Sequence, residues 1–300
     1  SLPFSRLRLH PARQRSGGGI RQSSAQWGGA LLSSDDTGAQ PKTVGLRQPE
    51  AVGSKRPEAV APHLPLLGYY ATPEARTGFV RGLFNRTAGA YDGINQVRSF
   101  GSGAWHRRKV LREAGLRPGM RVLDVAVGTG LLAREAARIT GRDEDVIGLD
   151  LSEGMLEVAR RSLRIPLVQA RAEALPLADA CVDMLTMGYA LRHVADLVGT
   201  FGEYRRVLRP GGKVLLLELG RPEGRVGYAV AKAWLGGVVP ALSRLAGTEA
   251  RTLMRYYWDT IESCVPAPEI LRCLEAAGFE EAVCRTELGL FRAYSGVRPA

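Results

Sequence analysis

The stretch VLDVAVGTG, residues 122–130, decides the fold of this chain. Its apolar residues suit a strand that is covered on both faces, and the run LLAREAA that follows, residues 131–137, predicts a helix. The glycines between them let the backbone turn tightly and approach a ligand, while the N–H groups of the first helical turn face an anionic group. The stretch therefore predicts a nucleotide-type cofactor turn, although a buried strand also ends in glycines for packing reasons alone.

An acid lies at the end of the next predicted strand. Residues 145–150 predict that strand, and Asp150 closes it 20 positions after Gly130. In a parallel sheet this carboxylate lies at the carboxyl edge of the neighbouring strand, where it can accept both ribose hydroxyls of an adenosine. It could also cap the following helix, a role that Ser152 fills at least as well. Turn and acid together favour a bound adenosine and leave NAD, FAD and S-adenosylmethionine open.

Strand and helix patterns alternate from residue 120 onward. Strands are predicted at 120–127, 145–150, 166–169, 181–187 and 213–219, and helices at 131–140, 152–164 and 197–207. This alternation predicts an α/β fold with a doubly wound, mostly parallel sheet and right-handed crossovers. A closing hairpin is predicted over 281–287 and 290–295, which adds an antiparallel pair and brings the sheet to seven strands.

Other segments flank this pattern. Residues 1–65 are rich in Arg, Ser, Gly and Pro without sustained periodicity, so they predict a disordered or targeting-like basic arm. Two helical patterns predict an N-terminal helical cap over 66–119, ahead of the main domain at 120–300. Because no methionine precedes Met120, we expect a processed product, an alternative-start product or a fragment. The expected location is the cytoplasm, or the mitochondrial matrix if the arm is a transit peptide.

Composition narrows the function classes. The chain has 41 Lys and Arg against 30 Asp and Glu, a net charge of +11, but its arginines are spread out rather than gathered with aromatic residues. We therefore expect no nucleic-acid partner. The cysteines at 181, 264, 273 and 284 form no C-x-x-C pair and no short ligand cluster. We therefore expect a reducing compartment and no metal site.

A long, mostly apolar segment covers residues 226–246. Lys232, Pro240 and Arg244 interrupt it, so it lacks the run of ~20 apolar residues that a membrane span requires. Together with a helical pattern over 249–262, it predicts a helical lid insert at 220–262. A lid, or an interfacial amphipathic helix that makes peripheral membrane contact, fits this segment better than a span.

Three blocks of sequence extend the cofactor turn into a family pattern. The first block combines FNR at 84–86, YDGIN at 91–95 and SFG at 99–101. The second block is the cofactor turn itself, residues 122–130. The third block is RVLRPGG at 206–212 with Leu217-Glu218, and the stretch ALRHV at 190–194 accompanies it. In these blocks the chain resembles the class I S-adenosylmethionine-dependent methyltransferases, specifically the ubiquinone/menaquinone biosynthesis C-methyltransferase (UbiE-like) family. The resemblance implies a Rossmann-like methyltransferase fold and S-adenosylmethionine as cofactor.

The resemblance also implies which residues hold that cofactor. They are Tyr91, Asp124, Gly128 and Gly130 at the methionine end, Asp150 at the ribose, Leu151, Met155, Ala172 and Glu173 around the adenine, and Tyr189 on the turn after the fourth strand. Of these, Met155 could equally be an ordinary core residue.

Arg192 and His193 follow the fourth predicted strand and are expected to face the cofactor. In the family this arginine is proposed to act through a bound water, and Asn usually follows it. A histidine has an unperturbed pKa near 6.5, so it can accept a proton around neutrality. We hypothesise that His193 is the catalytic base and that Arg192 stabilises a phenolate-like or enolate-like acceptor. A structural histidine that caps the loop is the alternative.

Aromatic residues could form the acceptor pocket. The candidates are Tyr256, Tyr257 and Trp258 in the insert together with Phe100 and Trp105, although aromatic clusters on helices are often simple core. The predicted function is methylation of a carbon in a small, hydrophobic, quinol- or phenol-type acceptor. An O- or N-methyltransferase of secondary metabolism and a non-catalytic S-adenosylmethionine-binding accessory protein are the alternatives, and a homodimer is left open.

Overall fold

The protein is described here by a computed structural model, which covers residues 59–99 and 103–300. Most of the predicted arm (1–65) therefore lies outside the described residues. Its last part does not extend into solvent but packs on the folded body. The Val60 amide donates to Asp196 Oδ1 at 2.9 Å, and His63 forms an isolated bridge with Cys264. Residues 59–65 thus belong to the folded unit, which the sequence pattern did not indicate.

One sheet of seven strands lies at the centre of the described residues, in the order β3-β2-β1-β4-β5-β7-β6. Strands β1 to β5 are parallel, whereas β7 pairs antiparallel with both β5 and β6. The predicted fold class, with its closing antiparallel hairpin, is confirmed. The strands are β1 Val122–Val125, β2 Val146–Asp150, β3 Leu167–Gln169, β4 Val182–Gly188, β5 Leu208–Leu219, β6 Glu280–Glu287 and β7 Phe291–Val297.

Helices cover both faces of this sheet. Alternate strand residues point to opposite faces, so Val122 and Leu215 join the core under α1, α3 and α8, while Leu123 and Leu216 join the core under α5 and α9. The helices are α1 Pro73–Ser99, α2 Gly103–Glu113, α3 Leu131–Thr140, α4 Glu153–Ser162, α5 Leu197–Val207, α6 Arg225–Ala231, α7 Val239–Ser243, α8 Thr248–Ser263 and α9 Ala267–Ala276; a π-helical segment, Lys232–Val238, joins α6 to α7.

Strand β5 begins earlier than predicted. Helix α5 ends at Val207 as expected, but the Arg-Pro-Gly-Gly stretch that follows is part of β5 rather than a connection. The Gly211 amide donates to the Arg298 carbonyl at 2.8 Å, and the Arg298 amide donates to the Gly212 carbonyl at 2.8 Å. The pattern at 209–212 predicts a break because Pro and Gly disfavour strands, but pairing with the C-terminal strand overrides that preference.

Helix α1 is held close to α4 at a glycine. Asn85 Oδ1 on α1 accepts hydrogen bonds from Ser152 Oγ at 2.6 Å and from the Gly154 amide at 3.0 Å. A Cβ at Gly154 would lie 2.9 Å from the Asn85 carbonyl oxygen, which is closer than backbone atoms tolerate. Gly154 therefore sets how closely α1 approaches the carboxyl edge of the sheet.

Gly154→Ala should accordingly lower the free energy of unfolding by ~1–3 kcal/mol, because α1 must move away from α4. The matched control is Gly202→Ala on α5, where an added Cβ meets open space. That change should raise the free energy of unfolding by about 0.5–1 kcal/mol through helix propensity. Urea unfolding measures both, and stabilisation by the two substitutions alike would contradict this packing.

Candidate active site

A cleft of about 820 Å³ opens at the carboxyl ends of β1, β2 and β4, beneath α1 and α8. A smaller cavity of about 380 Å³ continues it toward β1 and shares Tyr91, Gly128 and Tyr189 with it. Nine of the ten residues predicted to hold the cofactor line these two spaces; Gly130 is the exception.

The two glycines of the turn after β1 have different roles. Both need positive φ, 57° at Gly128 and 87° at Gly130. A Cβ on Gly128 would meet open space, whereas a Cβ on Gly130 would lie 2.1 Å from Leu163 Cδ1. Gly130 is thus required for packing against the end of α4, and its predicted contact with the cofactor is not supported. Of the two glycines, Gly128 is the one that lines the cleft and leaves its backbone accessible there.

Asp150 closes β2 and lines the cleft with little exposure to solvent. Its two carboxylate oxygens accept hydrogen bonds from the Gly128 and Ser152 amides, each at 2.8 Å. Burial raises the pKa of Asp150 to about 6, although these two amides oppose the shift. Ser152 caps α4, since its Oγ accepts from the Met155 amide, so Asp150 is not needed as the cap.

Asp124 is buried beside the smaller cavity. Thr186 Oγ1 donates to its Oδ1 at 2.7 Å, while Oδ2 has no hydrogen-bond partner among the described residues. Burial raises the pKa of Asp124 to about 7. A buried carboxylate oxygen without a partner is costly, and a cationic or N–H-bearing ligand group would relieve that cost. Asp124 and Asp150 therefore fit the amino-acid and ribose ends of S-adenosylmethionine.

The predicted adenine neighbours lie together in the cleft. Leu151, Met155, Ala172 and Glu173 all line it, and Glu173 also accepts from the Ala195 amide at 3.0 Å. Met155 is 1% exposed and belongs to both the core and the cleft wall, so its two sequence interpretations are compatible.

His193 forms part of the cleft wall between two aromatic rings. Its ring centroid lies 5.4 Å from that of Phe84 and 5.9 Å from that of Tyr257. Nδ1 lies 3.3 Å from the Tyr256 hydroxyl, and Nε2 is buried without a hydrogen-bond partner among the described residues. Burial, with the neighbouring guanidinium groups of Arg192 and Arg76, lowers the pKa of His193 well below its usual value. The imidazole is therefore neutral near pH 7, and it is a weaker proton acceptor than the histidine with a pKa near 6.5 that the sequence-based hypothesis assumed.

Arg192 does not face the cleft, which corrects its predicted role as a direct stabiliser of the acceptor. Its side chain is fully buried, forms an ion pair with Glu218, and donates from Nε to Thr260 Oγ1 at 3.2 Å. Its guanidinium lies over the Tyr257 ring, 5.1 Å from the centroid. A buried charge must be paired, and this pairing directs Arg192 away from the cleft.

The predicted acceptor residues separate in the structure. Tyr257 lines the cleft, and its hydroxyl lies 2.8 Å from that of Tyr91. Tyr256 lies behind His193 in the core, and Trp258 packs against Gly236. Trp105 is 66% exposed on α2 and does not line the cleft, whereas Phe100 lies outside the described residues. A helix turns ~100° per residue, so consecutive aromatic residues cannot share one pocket.

Most of the helical cover of the cleft comes from α1. Of the predicted lid insert (220–262), α8 contributes Tyr257, whereas the segment 226–246 does not line the cleft. Sequence reasoning predicted Tyr91 of this wall but missed four other members of α1, although they recur at helical spacing: Thr77, Val80, Arg81 and Phe84. It also missed Arg107, which lines the smaller cavity with its guanidinium 5.8 Å from the centroid of the Tyr189 ring.

Comparison with known proteins identifies the family. The model of the ubiE/COQ5 methyltransferase family matches residues 71–290. The ubiquinone/menaquinone biosynthesis C-methyltransferase UbiE of Shewanella pealeana is 35% identical over 221 residues, which cover 71% of this chain and 88% of the relative. Its counterpart in Shewanella halifaxensis is 36% identical over the same shares of the two chains.

Solved structures agree on the fold. Phosphoethanolamine N-methyltransferase 2 of Haemonchus contortus, in complex with S-adenosyl-L-methionine, superposes with a TM-score of 0.51 and 19% identity over 72% of this chain and 57% of that chain. A possible histamine N-methyltransferase from Thermotoga maritima gives a TM-score of 0.51 and 20% identity over 72% and 98%. The chain therefore belongs to the ubiE/COQ5 methyltransferase family, and its assignment from sequence as an S-adenosylmethionine-dependent methyltransferase is confirmed.

Proposed function

We propose that this enzyme methylates a ring carbon of a hydrophobic quinol- or phenol-type acceptor, with His193 as the base. The observation that carries the proposal is the position of His193: its Nε2 is buried in the cleft wall without a partner among the described residues, between Phe84 and Tyr257. An aromatic ring that loses a proton during methylation needs such a group beside it. The names of the Shewanella relatives support the same reaction class.

The cofactor would be held by the acids at the ends of β1 and β2. Asp150 can accept the ribose hydroxyls while it keeps its two backbone partners, because each carboxylate oxygen has two lone pairs. The unpartnered Oδ2 of Asp124 suits the ammonium of the methionine part. When bound, S-adenosylmethionine supplies a methyl group on a positively charged sulfur, so the protein must chiefly orient the acceptor and exclude water.

The base assignment requires one tautomer of His193. If the hydrogen lies on Nδ1 and is donated to Tyr256 Oη, the lone pair on Nε2 is free to accept a proton. The ring carbon of the acceptor would form its bond to the methyl group as the bond between that methyl group and the cofactor sulfur breaks, with S-adenosylhomocysteine as the leaving group. The proton that leaves the ring carbon or a neighbouring hydroxyl would pass to Nε2. Arg192 acts as a positioning residue, since its ion pair with Glu218 fixes the backbone next to His193.

The cytoplasm, with the mitochondrial matrix as the alternative, stays the predicted location. A homodimer and peripheral membrane contact also stay predictions.

The position of the new methyl group tests the reaction class. The enzyme is incubated with S-adenosylmethionine carrying a deuterated methyl group and a panel of prenylated hydroquinones, simple phenols, hydroxyindoles and amines. Mass spectrometry with fragmentation should place the label on a ring carbon of a hydroquinone or phenol. Label on oxygen or nitrogen would support the alternative methyltransferases, and cofactor binding without transfer to any member would support the accessory role.

His193→Gln should lower kcat by about 10²–10⁴-fold, the usual contribution of a positioned base, with little change in the affinity for S-adenosylmethionine. Because the pKa of His193 is lowered, the neutral imidazole persists as the pH falls, so kcat of the native enzyme should hold until well below pH 6.5. His106→Gln, on α2 and outside the cleft, is the matched control. A native kcat in His193→Gln would reject the base.

Binding of S-adenosylmethionine should weaken at acidic pH. Ionised carboxylates are the better acceptors for its hydroxyl and ammonium groups, and the pKa values of Asp150 and Asp124 are raised to about 6 and about 7. Protonation of either acid therefore competes with the ligand, and the apparent Kd should rise by up to ~10-fold per pH unit for each acid below its pKa.

Calorimetric titration between pH 5.5 and 8 measures this dependence. Asp150→Asn should bind more weakly at pH 8 and show a shallower pH dependence, since only Asp124 then titrates. A constant Kd across the range would contradict the assigned roles of both acids.

A further inference from the structure

One long helical run carries an unusual amount of exposed apolar surface. Arg225–Ser243, which comprises α6, the π-helical segment and α7, has 19 residues and a mean hydropathy of 1.2 over its most apolar window. By length and composition it could cross a membrane. It contains no acid, and no acid follows before Glu249. The charged residues from 225 to 247 are Arg225, Lys232 and Arg244, all basic.

One face of this run is attached to the body of the protein. Ala231, Leu235 and Val239 are buried, and Gly236 lies so close to Trp258 of α8 that a Cβ would be 3.1 Å from the indole ring. The Tyr228 hydroxyl also donates to Glu262 of α8. The run is therefore fixed along α8 by apolar packing and by a hydrogen bond.

The opposite face is exposed. It carries Val226, Val230, Val238, Leu242 and Leu245, which we call the exposed strip; their exposed fractions run from 41% at Val238 to 91% at Leu245. Single exposed apolar residues are common on soluble proteins, but a row along one helix face indicates an interaction site.

We propose that the exposed strip docks in the plane of an anionic lipid bilayer, with its apolar side chains at the boundary between headgroups and acyl chains. Charge selects this occupant. Arg225 and Arg244 are exposed at the two ends of the run, and Arg251 and Arg255 are exposed on α8 beside it. Of the nearest acids, Glu249 and Glu262 on α8 are already paired with Arg86 and Lys232, and Glu223, exposed just before the run, lies 4.0 Å from Arg292. A row of apolar residues flanked by basic ones is typical of interfacial helices.

The attachment to α8 favours in-plane docking over a transmembrane orientation. A crossing helix would have to leave Trp258 and Glu262 and would place Lys232, near its middle, in the hydrocarbon. In-plane docking keeps every one of these contacts. It needs no rearrangement of the fold, because the strip already faces outward.

Docking would also bring the active site to the membrane. Helix α7 contacts α1 and α8, the two helices that cover the cleft. An apolar acceptor dissolved in the bilayer would then lie near the entrance of the cleft. This consequence rests on the proposed function, whereas the docking itself does not.

Vesicle flotation with the full chain tests the proposal. It compares vesicles of phosphatidylcholine alone with vesicles that also contain about 30% phosphatidylglycerol, an anionic lipid that makes the surface negative. The native protein should bind the anionic vesicles. Leu242→Asp with Leu245→Asp should lower the partition coefficient at least tenfold. Arg225→Gln with Arg244→Gln should lower it about fivefold per residue on anionic vesicles and leave neutral vesicles unaffected.

Val283→Asp is the matched control, because Val283 is 46% exposed on β6, outside the strip, and its change should leave vesicle binding as in the native protein. Residues 1–58 are also basic, so an added acid anywhere could weaken the general attraction of the protein to anionic vesicles. The control measures that general effect separately from the loss of the strip. Unchanged binding by the Leu242/Leu245 variant would overturn the proposal, as would a native protein that binds no vesicles. A native dimer that this variant dissociates, without lipid binding, would assign the strip to a second copy instead. Titration with S-adenosylmethionine in the same preparations keeps a failure of docking separate from a failure of the proposed function.

Discussion

The buried ion pair between Arg192 and Glu218 organises the active-site side of this protein. It joins the turn after β4 to the end of β5, and Arg192 Nε extends the link to Thr260 on α8. The Arg192 carbonyl accepts a hydrogen bond from Arg76 on α1, whose guanidinium also bonds His63 Nε2 at 2.8 Å. The turn after β4, the end of β5 and the helices α1 and α8 are thus joined at Arg192, through its guanidinium and its carbonyl. Leaving either member of such a buried pair without its partner typically costs ~3–5 kcal/mol, so the arrangement is strongly constrained.

The cleft has two sides with different proposed roles. The side proposed to bind the cofactor is built from acids at the ends of β1 and β2, whereas the side proposed to hold the acceptor is built from the turn after β4 and the rings of α1 and α8. Backbone strain occurs at the junction: Ala126 and Tyr189 line the cleft with φ values of 54° and 62°, a region that residues with a Cβ rarely adopt. Strain of ~1–3 kcal/mol at such positions is typical of functional sites, where the surrounding packing imposes the conformation.

The sheet was predictable from the sequence because buried parallel strands are short apolar runs that end in glycines or acids, and β1 and β2 are clear examples. Contacts between distant segments were not predictable. The burial of Arg192 depends on Glu218, 26 residues away, and a lone arginine on a turn gives no sign of such a partner. The packing role of Gly130 depends on Leu163, at the end of another helix. The helical pattern predicted a cap over 66–119 but did not indicate that one face of α1 covers the cleft.

The protonation state of His193 is the most direct test of this account, since the proposed chemistry requires a neutral ring with its hydrogen on Nδ1. The chain contains four histidines, so ¹⁵N-histidine labelling with two-bond proton–nitrogen correlation spectra resolves them, and His193→Gln assigns the signal. The account predicts a neutral, Nδ1-protonated imidazole from pH 5.5 to 8. A ring that titrates near pH 6.5, or a neutral ring that carries its hydrogen on Nε2, would contradict the role of His193 as the base.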